Sequence, residues 1–214
     1  SDFKLLGKVV PRKDTPAKVD GSADYGADIA LDGKLYAALR TSPVYGGEII
    51  RDDRDAVLSH PGVVAVTDVD GGIAVIGETF WQAKKAAESL DVEWDFKGMD
   101  SLNSHDMWQE MRASLDDEAR PFFGTKGDAP AVIAESTRSF EAEYEVPFLA
   151  HACMEPMAST ALVTDGHCQM WSPHQQQDLA REQAAEITGL SLENVSLQNT
   201  FAGGGFGRKW EPDF

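Results

Sequence analysis

Cysteine is scarce in this chain, which has two, Cys153 and Cys168, among 214 residues. Two cysteines do not make a disulfide framework, and they are too few for a cysteine-held iron–sulfur cluster, which typically needs about four. A single disulfide bond between the two cysteines is the alternative, but we predict two free, half-buried thiols.

Positive charge and long apolar runs are also lacking. The chain has 19 lysines and arginines against 36 acidic residues, a formal net charge of −17. Phosphates of nucleic acids and anionic lipid surfaces would be repelled, so we expect no nucleic acid partner. No apolar run approaches the roughly 18 residues that a membrane span needs. The first residues, SDFK, do not begin a signal peptide.

The apolar pattern predicts an α/β fold built from two units. In the first, the helix from Thr79 starts with a capping box to Gln82 and turns Phe80, Ala83, Ala87 and Leu90 inward. Residues 1–33 are interrupted by proline and glycine and are predicted to be mostly loop. The other elements expected here are strands at 34–41, 48–50 and 92–95, a helical turn at 54–59, and a hairpin of 63–69 with 73–76.

The second unit is predicted to follow a helix at 100–117 and a linker at 121–130. Residues 139–146 alternate apolar and acidic side chains, which predicts a half-buried strand. Further predicted elements are strands at 159–163, 169–172 and 195–201 and a helix at 178–188 ended by Gly189. The residues expected on that helix's inner face are Leu179, Ala180, Gln183, Ala184 and Ile187.

A glycine loop, residues 203–207 (GGGFG), follows the last predicted strand. Glycines let the backbone approach a ligand closely, and successive N–H groups can form an anion-binding concavity. The spacing fits neither a phosphate loop nor a dinucleotide fingerprint, and a tight crossing of two backbone segments is the alternative interpretation. Because the chain builds this loop just before it stops, we expect it to have been cut from something larger.

Two other polar segments are candidates for a functional site. His151, Cys153 and Glu155 alternate, and with His167 and Cys168 they suggest a zinc site only weakly, since ordinary metal-ligand spacings are absent. The alternative is that these side chains only pack in the fold, with their polar atoms hydrogen-bonded. Gln175 follows a predicted strand, where its amide could point into a pocket or simply be solvated.

Together, these segments resemble the large subunit of molybdenum hydroxylases, the xanthine dehydrogenase and aldehyde oxidase superfamily. The resemblance is carried by EVPFLAHACMEPMASTALV, CQMWSPHQQQ, ENVSLQNTF and AGGGFGRK, and it is strongest to isoquinoline 1-oxidoreductase beta subunits and membrane-associated aldehyde dehydrogenases. Residues 12–49 and 60–95 resemble the family's α/β hammerhead domain. The resemblance implies a hammerhead domain at 1–98, a partly helical linker at 99–129, and a truncated molybdopterin-binding domain at 130–214.

The resemblance also implies a molybdenum-pterin cofactor, usually in the cytosine dinucleotide form in bacteria. Its cofactor-binding residues would be Gln175, by its amide, and the loop residues Gly204, Gly205, Phe206 and Gly207, by their N–H groups. The family's catalytic base is a glutamate near the far C-terminus of the subunit, so no catalytic or metal-ligating residue is assigned here. We expect the chain alone to be metal-free and inactive, with a mobile loop and a Phe206 ring that swings out or packs on a neighbouring molecule.

The implied activity of the parent protein is hydroxylation of an aldehyde or N-heterocycle with water as the oxygen source. Its implied partners are the remainder of the large subunit and a [2Fe–2S] electron-transfer subunit. Xanthine dehydrogenases carry Gly-Lys-Glu after GGGFG, whereas this chain has Arg208-Lys209-Trp210, so a purine substrate is not expected. The alternative is a non-catalytic hammerhead module for assembly. The sequence does not decide whether the protein is located in the bacterial periplasm or the cytoplasm.

Overall fold

A computed structural model describes residues 2–117, 123–124 and 126–214. Its contacts divide the chain into a continuous unit, residues Asp32–Glu143, and a split unit, in which the described residues up to Leu31 join Tyr144–Phe214. The boundaries predicted above, at 98, 99, 129 and 130, differ from this division and stay a prediction for the domains. Among the described residues, each helix is too short or too polar to cross a lipid bilayer.

The continuous unit carries two antiparallel sheets. In the three-stranded sheet, β4 lies between β1 and β3, and β2 pairs with β5 in a separate ribbon. The predicted β3–β4 hairpin is confirmed, with Gly71 at a φ of 69° in its turn. The strands are β1 Tyr36–Thr41, β2 Glu48–Asp52, β3 Val63–Val69, β4 Gly72–Gly77 and β5 Val92–Asp95. The α-helices are α2 Arg54–Val57, α3 Phe80–Ser89, α4 Ser104–Ser114 and α5 Ala129–Glu135.

Helix α3 covers the three-stranded sheet and supplies much of the core. The Thr79 hydroxyl accepts the Gln82 N–H at 3.3 Å, which confirms the predicted start, although the Gln82 side chain contacts the Thr79 hydroxyl rather than its backbone. The inward position of Phe80 was wrong: it is 54% exposed, because the face toward the sheet is made by small side chains further along. The buried core comprises Ala38, Val57, Ile73, Val75, Ala83, Ala86, Ala87 and Leu90.

The helix predicted at 100–117 is shorter than expected. A 3-10 turn, Met99–Ser101, precedes α4, where Met107 is half-buried and Met111 is 43% exposed. The narrow apolar face therefore gains little burial. The predicted linker at 121–130 lies partly outside the described residues, and α5 begins within it.

The split unit contains a mixed sheet with β7 in the centre. Strand β6 pairs antiparallel with β7, and β8 pairs parallel with β7 after a crossover through α6. Gly189 at a φ of 69° ends α6 as predicted. Of the inner face predicted for α6, Ala180 is buried, but Ile187 is 82% exposed. The elements are α1 Thr15–Asp20, β6 Thr160–Thr164, β7 His167–Ser172, α6 Gln177–Thr188 and β8 Val195–Asn199.

The strand predicted at 139–146 is wrong. Residues 136–159, all of them described, contain no helix or strand, and Phe140 and Tyr144 are 91% and 87% exposed. An alternating pattern forms a half-buried strand only where a neighbouring strand supplies hydrogen bonds and a covering face. The described residues supply no such neighbour for this segment.

An ion pair at the end of β2 gives a pH-dependent prediction. Asp52 accepts hydrogen bonds from the Arg54 guanidinium at 2.8 and 2.6 Å, and these hold the pKa of Asp52 below its usual value. A lowered folded-state pKa stabilises the fold above the unfolded value, about 3.9, and this contribution is lost as pH falls through the folded-state value. Asp52→Asn should therefore lower the unfolding temperature at pH 7, and its difference from wild type should shrink below about pH 4. A difference that does not change with pH would contradict this assignment.

Candidate cofactor-binding site

The glycine loop leaves β8 through three residues with left-handed backbone conformations. Gly204 has a φ of 98° and Gly207 a φ of 92°, which glycine adopts without a Cβ clash. Phe206 has a φ of 53°, a conformation that costs a non-glycine residue about 1–3 kcal/mol. Its ring is 76% exposed, so burial of the ring does not offset that cost. Backbone strain of this kind clusters at functional sites.

Glu155 is the residue that anchors the start of this loop. Its carboxylate accepts the Gly203 N–H at 2.7 Å and the Gly26 N–H at 3.0 Å. Its own N–H donates to the Gly203 carbonyl at 3.0 Å. A single side chain therefore connects three segments that lie far apart in the sequence.

Lys209 holds the other end of the loop through the same carboxylate. Its side chain is fully buried, and its ammonium group forms an ion pair with Glu155, whose side chain is 9% exposed. A buried charge is tolerated only when it is paired and hydrogen-bonded. Among the described residues, no buried side-chain nitrogen or oxygen lacks a partner.

Gln175 lies directly against the glycine loop. Its N–H donates to the Lys209 carbonyl at 2.8 Å. An ideal Cβ built on Gly205 would come 2.5 Å from Gln175 Oε1, so the glycine lets this amide lie where it does without being displaced. The structure thus brings together Gln175 and the loop residues that the sequence singled out separately.

His174 fixes the turn that presents Gln175. Its ring is 2% exposed; Nδ1 accepts the Gln176 N–H at 2.9 Å, so Nε2 carries the proton that it donates to the Glu211 carbonyl at 3.1 Å. Its backbone N–H donates to Asn199 Oδ1 at 2.9 Å, and its ring stacks on Phe214 with centroids 5.3 Å apart. The turn is therefore tied to both β8 and the segment after the loop.

A cavity of about 270 Å³ opens beside the loop, lined among others by His151, Cys153, Met157 and Arg208. The Cys153 thiol donates to the Gly205 carbonyl at 3.2 Å. Arg208 makes two bonds to Asp213, at 2.7 and 2.8 Å, which raise its pKa and keep it charged.

The weakly suggested zinc site does not form. In the part of the chain that the structure describes, no three His, Cys, Asp or Glu side chains are placed to hold a metal ion. Glu155 is engaged with Lys209, and the His167 ring contacts the Ser196 hydroxyl at 3.3 Å. Neither cysteine forms a disulfide bond, as predicted, and Cys153 is half-buried. Cys168 is fully buried rather than half-buried, and this burial raises the pKa of its thiol.

The loop's free donors suit an anionic ligand. Within the described residues, the N–H groups of Gly204, Gly205, Phe206 and Gly207 donate to no protein acceptor. Successive unpaired N–H groups beside a primary amide fit phosphate or oxo oxygens, which accept hydrogen bonds. These residues therefore fit a cofactor that carries such oxygens.

Alanine substitutions at Gly203 and Gly205 should differ in cost, because an added Cβ meets a rigid neighbour at one and a flexible one at the other. Neither glycine has a left-handed φ, so backbone strain does not contribute. A Cβ on Gly203 would lie 2.6 Å from the Glu155 Cβ, which cannot move without the backbone, so Gly203→Ala should cost about 1–3 kcal/mol of unfolding free energy. A Cβ on Gly205 meets only the flexible end of Gln175, so Gly205→Ala should cost about 0.5 kcal/mol or less. Urea unfolding checks both, and equal costs would contradict the assignment.

Sequence reasoning missed the residues that brace the site. Glu155 was noticed only as part of a weak zinc set, and the side chains of Lys209 and His174 received no role. An ion pair between residues 54 positions apart gives no periodic signal. The one available hint was an acidic and a basic residue beside segments that otherwise look like ligand-binding loops.

Comparison with known proteins identifies what the chain is similar to. Residues 115–213 match the molybdopterin cofactor-binding domain. The isoquinoline 1-oxidoreductase subunit beta of Brevundimonas diminuta is 32% identical over 99% of this chain and 28% of its own length. The aldehyde oxidoreductase molybdenum-binding subunit PaoC of Escherichia coli K12 is 26% identical over 97% of this chain and 32% of its own length. The chain thus spans about a third or less of these relatives.

The fold has solved counterparts. Quinoline 2-oxidoreductase from Pseudomonas putida 86 superimposes with a TM-score of 0.69 at 19% identity, covering 96% of this chain and 31% of its own. This likeness confirms the predicted α/β fold class. With the sequence matches, it leads to one conclusion: residues 115–213 match a molybdopterin cofactor-binding domain, and nearly the whole chain is similar to part of the molybdenum-hydroxylase large subunit.

Proposed function

We propose that this chain is part of a larger molybdenum hydroxylase that inserts a water-derived oxygen at an electron-poor carbon of an aldehyde or N-heterocycle. The observation that carries the proposal is the contact of Gln175 with a glycine loop whose N–H groups are free. Both relatives named above act, by their names, on substrates of these two classes.

Gln175, Gly204, Gly205, Phe206 and Gly207 are the residues proposed to bind the cofactor, in its cytosine dinucleotide form. When bound, the molybdenum-pterin group supplies the oxygen transfer and takes up the substrate's electrons. This chain's own contribution is to orient donors. Their positions are fixed in advance by the Lys209 carbonyl and the Glu155 carboxylate, so they can stabilise charge without reorganising.

A purine substrate is not proposed. Lys209 is buried in its ion pair and Arg208 is tied to Asp213. The position where xanthine dehydrogenases carry a glutamate is Trp210, 48% exposed.

The proposed partners are the remainder of the large subunit and a [2Fe–2S] protein that receives the electrons. The catalytic base is proposed to lie outside this chain. The chain alone should be metal-free and inactive, because two open segments offer about 0.5–1.5 kcal/mol per hydrogen bond, too little to retain a large anionic cofactor.

Metal analysis of the full-length protein, produced with its partner subunit, tests the proposal. We expect about one molybdenum per large subunit, with oxidation of an aldehyde or N-heterocycle by an artificial dye. A metal-free, inert but well-folded complex would favour the alternative, a hammerhead module that serves only assembly. Molybdenum retained by the chain alone would contradict the proposed division of the site.

A further inference from the structure

We propose that the buried Glu155–Lys209 ion pair is a positioning device that sets the geometry of the cofactor loop. The inference rests on the proposed function, and it gives a role to two residues that would not touch the cofactor. Glu155 and Lys209 act through the residues they hold: Gly203 at the start of the loop and Gln175 beside it.

The pair closes the loop at both ends. Glu155 accepts the Gly203 N–H at 2.7 Å, before the residues with free donors, and pairs with Lys209 immediately beyond Arg208. Its carboxylate therefore fixes the separation between Gly203, where the loop begins, and Lys209, two residues after the loop ends. The loop's left-handed residues lie between these two anchors.

The pair also sets the place of Gln175. The Lys209 carbonyl accepts the Gln175 N–H at 2.8 Å, so the backbone that carries the buried ammonium group also carries the glutamine turn. A displacement of Lys209 would move both candidate cofactor-binding segments at once. Contacts behind a ligand-binding residue commonly change affinity or activity about 10–100-fold when they are removed.

The alternative is that the pair only stabilises the fold. Removing either partner alone leaves a buried charge without compensation, which destabilises a protein whatever the pair's function. Removing both charges avoids that penalty. The double variant Glu155→Gln with Lys209→Met therefore separates stability from positioning.

The test uses the full-length protein with its partner subunit, in wild-type form and as the double variant. We expect the double variant to stay folded and to lose less unfolding free energy than Lys209→Met alone. Its remaining loss is one backbone hydrogen bond, because the glutamine amide has a single oxygen for the Gly26 and Gly203 N–H groups. It should retain about 10–100-fold less molybdenum per folded protein after dialysis. The amides of Gln175, Gly203 and Arg208 are hydrogen-bonded in and around the wild-type loop. Measured by hydrogen exchange in the metal-free protein, they should exchange about tenfold faster in the double variant than in wild type, because the loop opens more often.

Asp52→Asn is the matched control. It also turns a carboxylate that pairs with a cation and accepts a backbone N–H into an amide, but in the continuous unit, and it should leave molybdenum content unchanged. A double variant with wild-type molybdenum content and wild-type loop exchange would overturn the inference. Wild-type protein without molybdenum would instead overturn the proposed function, and the exchange rates would still decide whether the pair holds the loop.

Discussion

Lys209→Met should lower the unfolding free energy of the split unit by about 3–5 kcal/mol. The substitution leaves the Glu155 carboxylate, 9% exposed, with two backbone donors but no countercharge. Methionine fills a similar volume, so the cost comes from the unpaired charge rather than from a cavity. Urea unfolding followed by tryptophan fluorescence measures it.

Lys18→Met is the matched control, because Lys18 lies in the same unit and pairs with Asp14 at 2.6 Å near the surface. Its side chain is 30% exposed, and pairs of this kind contribute about 0–1 kcal/mol. If the two lysine substitutions cost the same, the buried pair is not the anchor described above.

Ile73→Ala should lower the unfolding free energy of the continuous unit by about 2–5 kcal/mol. Ile73 is fully buried on β4, the central strand, so truncation loses apolar burial and leaves a cavity under α3. Ile50→Ala makes the same chemical change on β2, where the side chain is 60% exposed, and should cost less than about 1 kcal/mol. Chemical denaturation of both variants measures the two losses in unfolding free energy, and equal losses would contradict the core described here.

Most of the fold was predictable because its local signals agree with its tertiary contacts. The β3–β4 hairpin has a turn glycine between β-branched runs, and α3 has a cap and an apolar face that meets a sheet. Such elements carry their pattern within about ten residues. Periodicity read from sequence is most reliable in these cases.

The failures arise where a pattern needs a partner. Residues 139–146 alternate as a half-buried strand does, yet they stay exposed because no described strand pairs with them. Phe80 falls on the apolar stripe of α3 but lies at its first turn, where the sheet does not cover it. Local sequence shows which face is apolar, not whether another element covers it.

The candidate site divides in the same way. Gln175 and the loop could be proposed from sequence because glycine spacing and a resemblance marked them, and the structure places them in contact. Glu155 and Lys209 could not, since their pairing depends on the crossover through α6 and the return of β8 beside β7. The sequence therefore identified the residues proposed to bind the cofactor, but not the residues that hold them in place.

The most direct test of the central claim is an experimental structure of the full-length protein with its cofactor bound. We predict that the Gln175 amide and at least two N–H groups of residues 204–207 lie about 2.7–3.2 Å from cofactor oxygens, with the Glu155–Lys209 pair intact behind them. A cofactor bound elsewhere, with those N–H groups facing solvent, would contradict it.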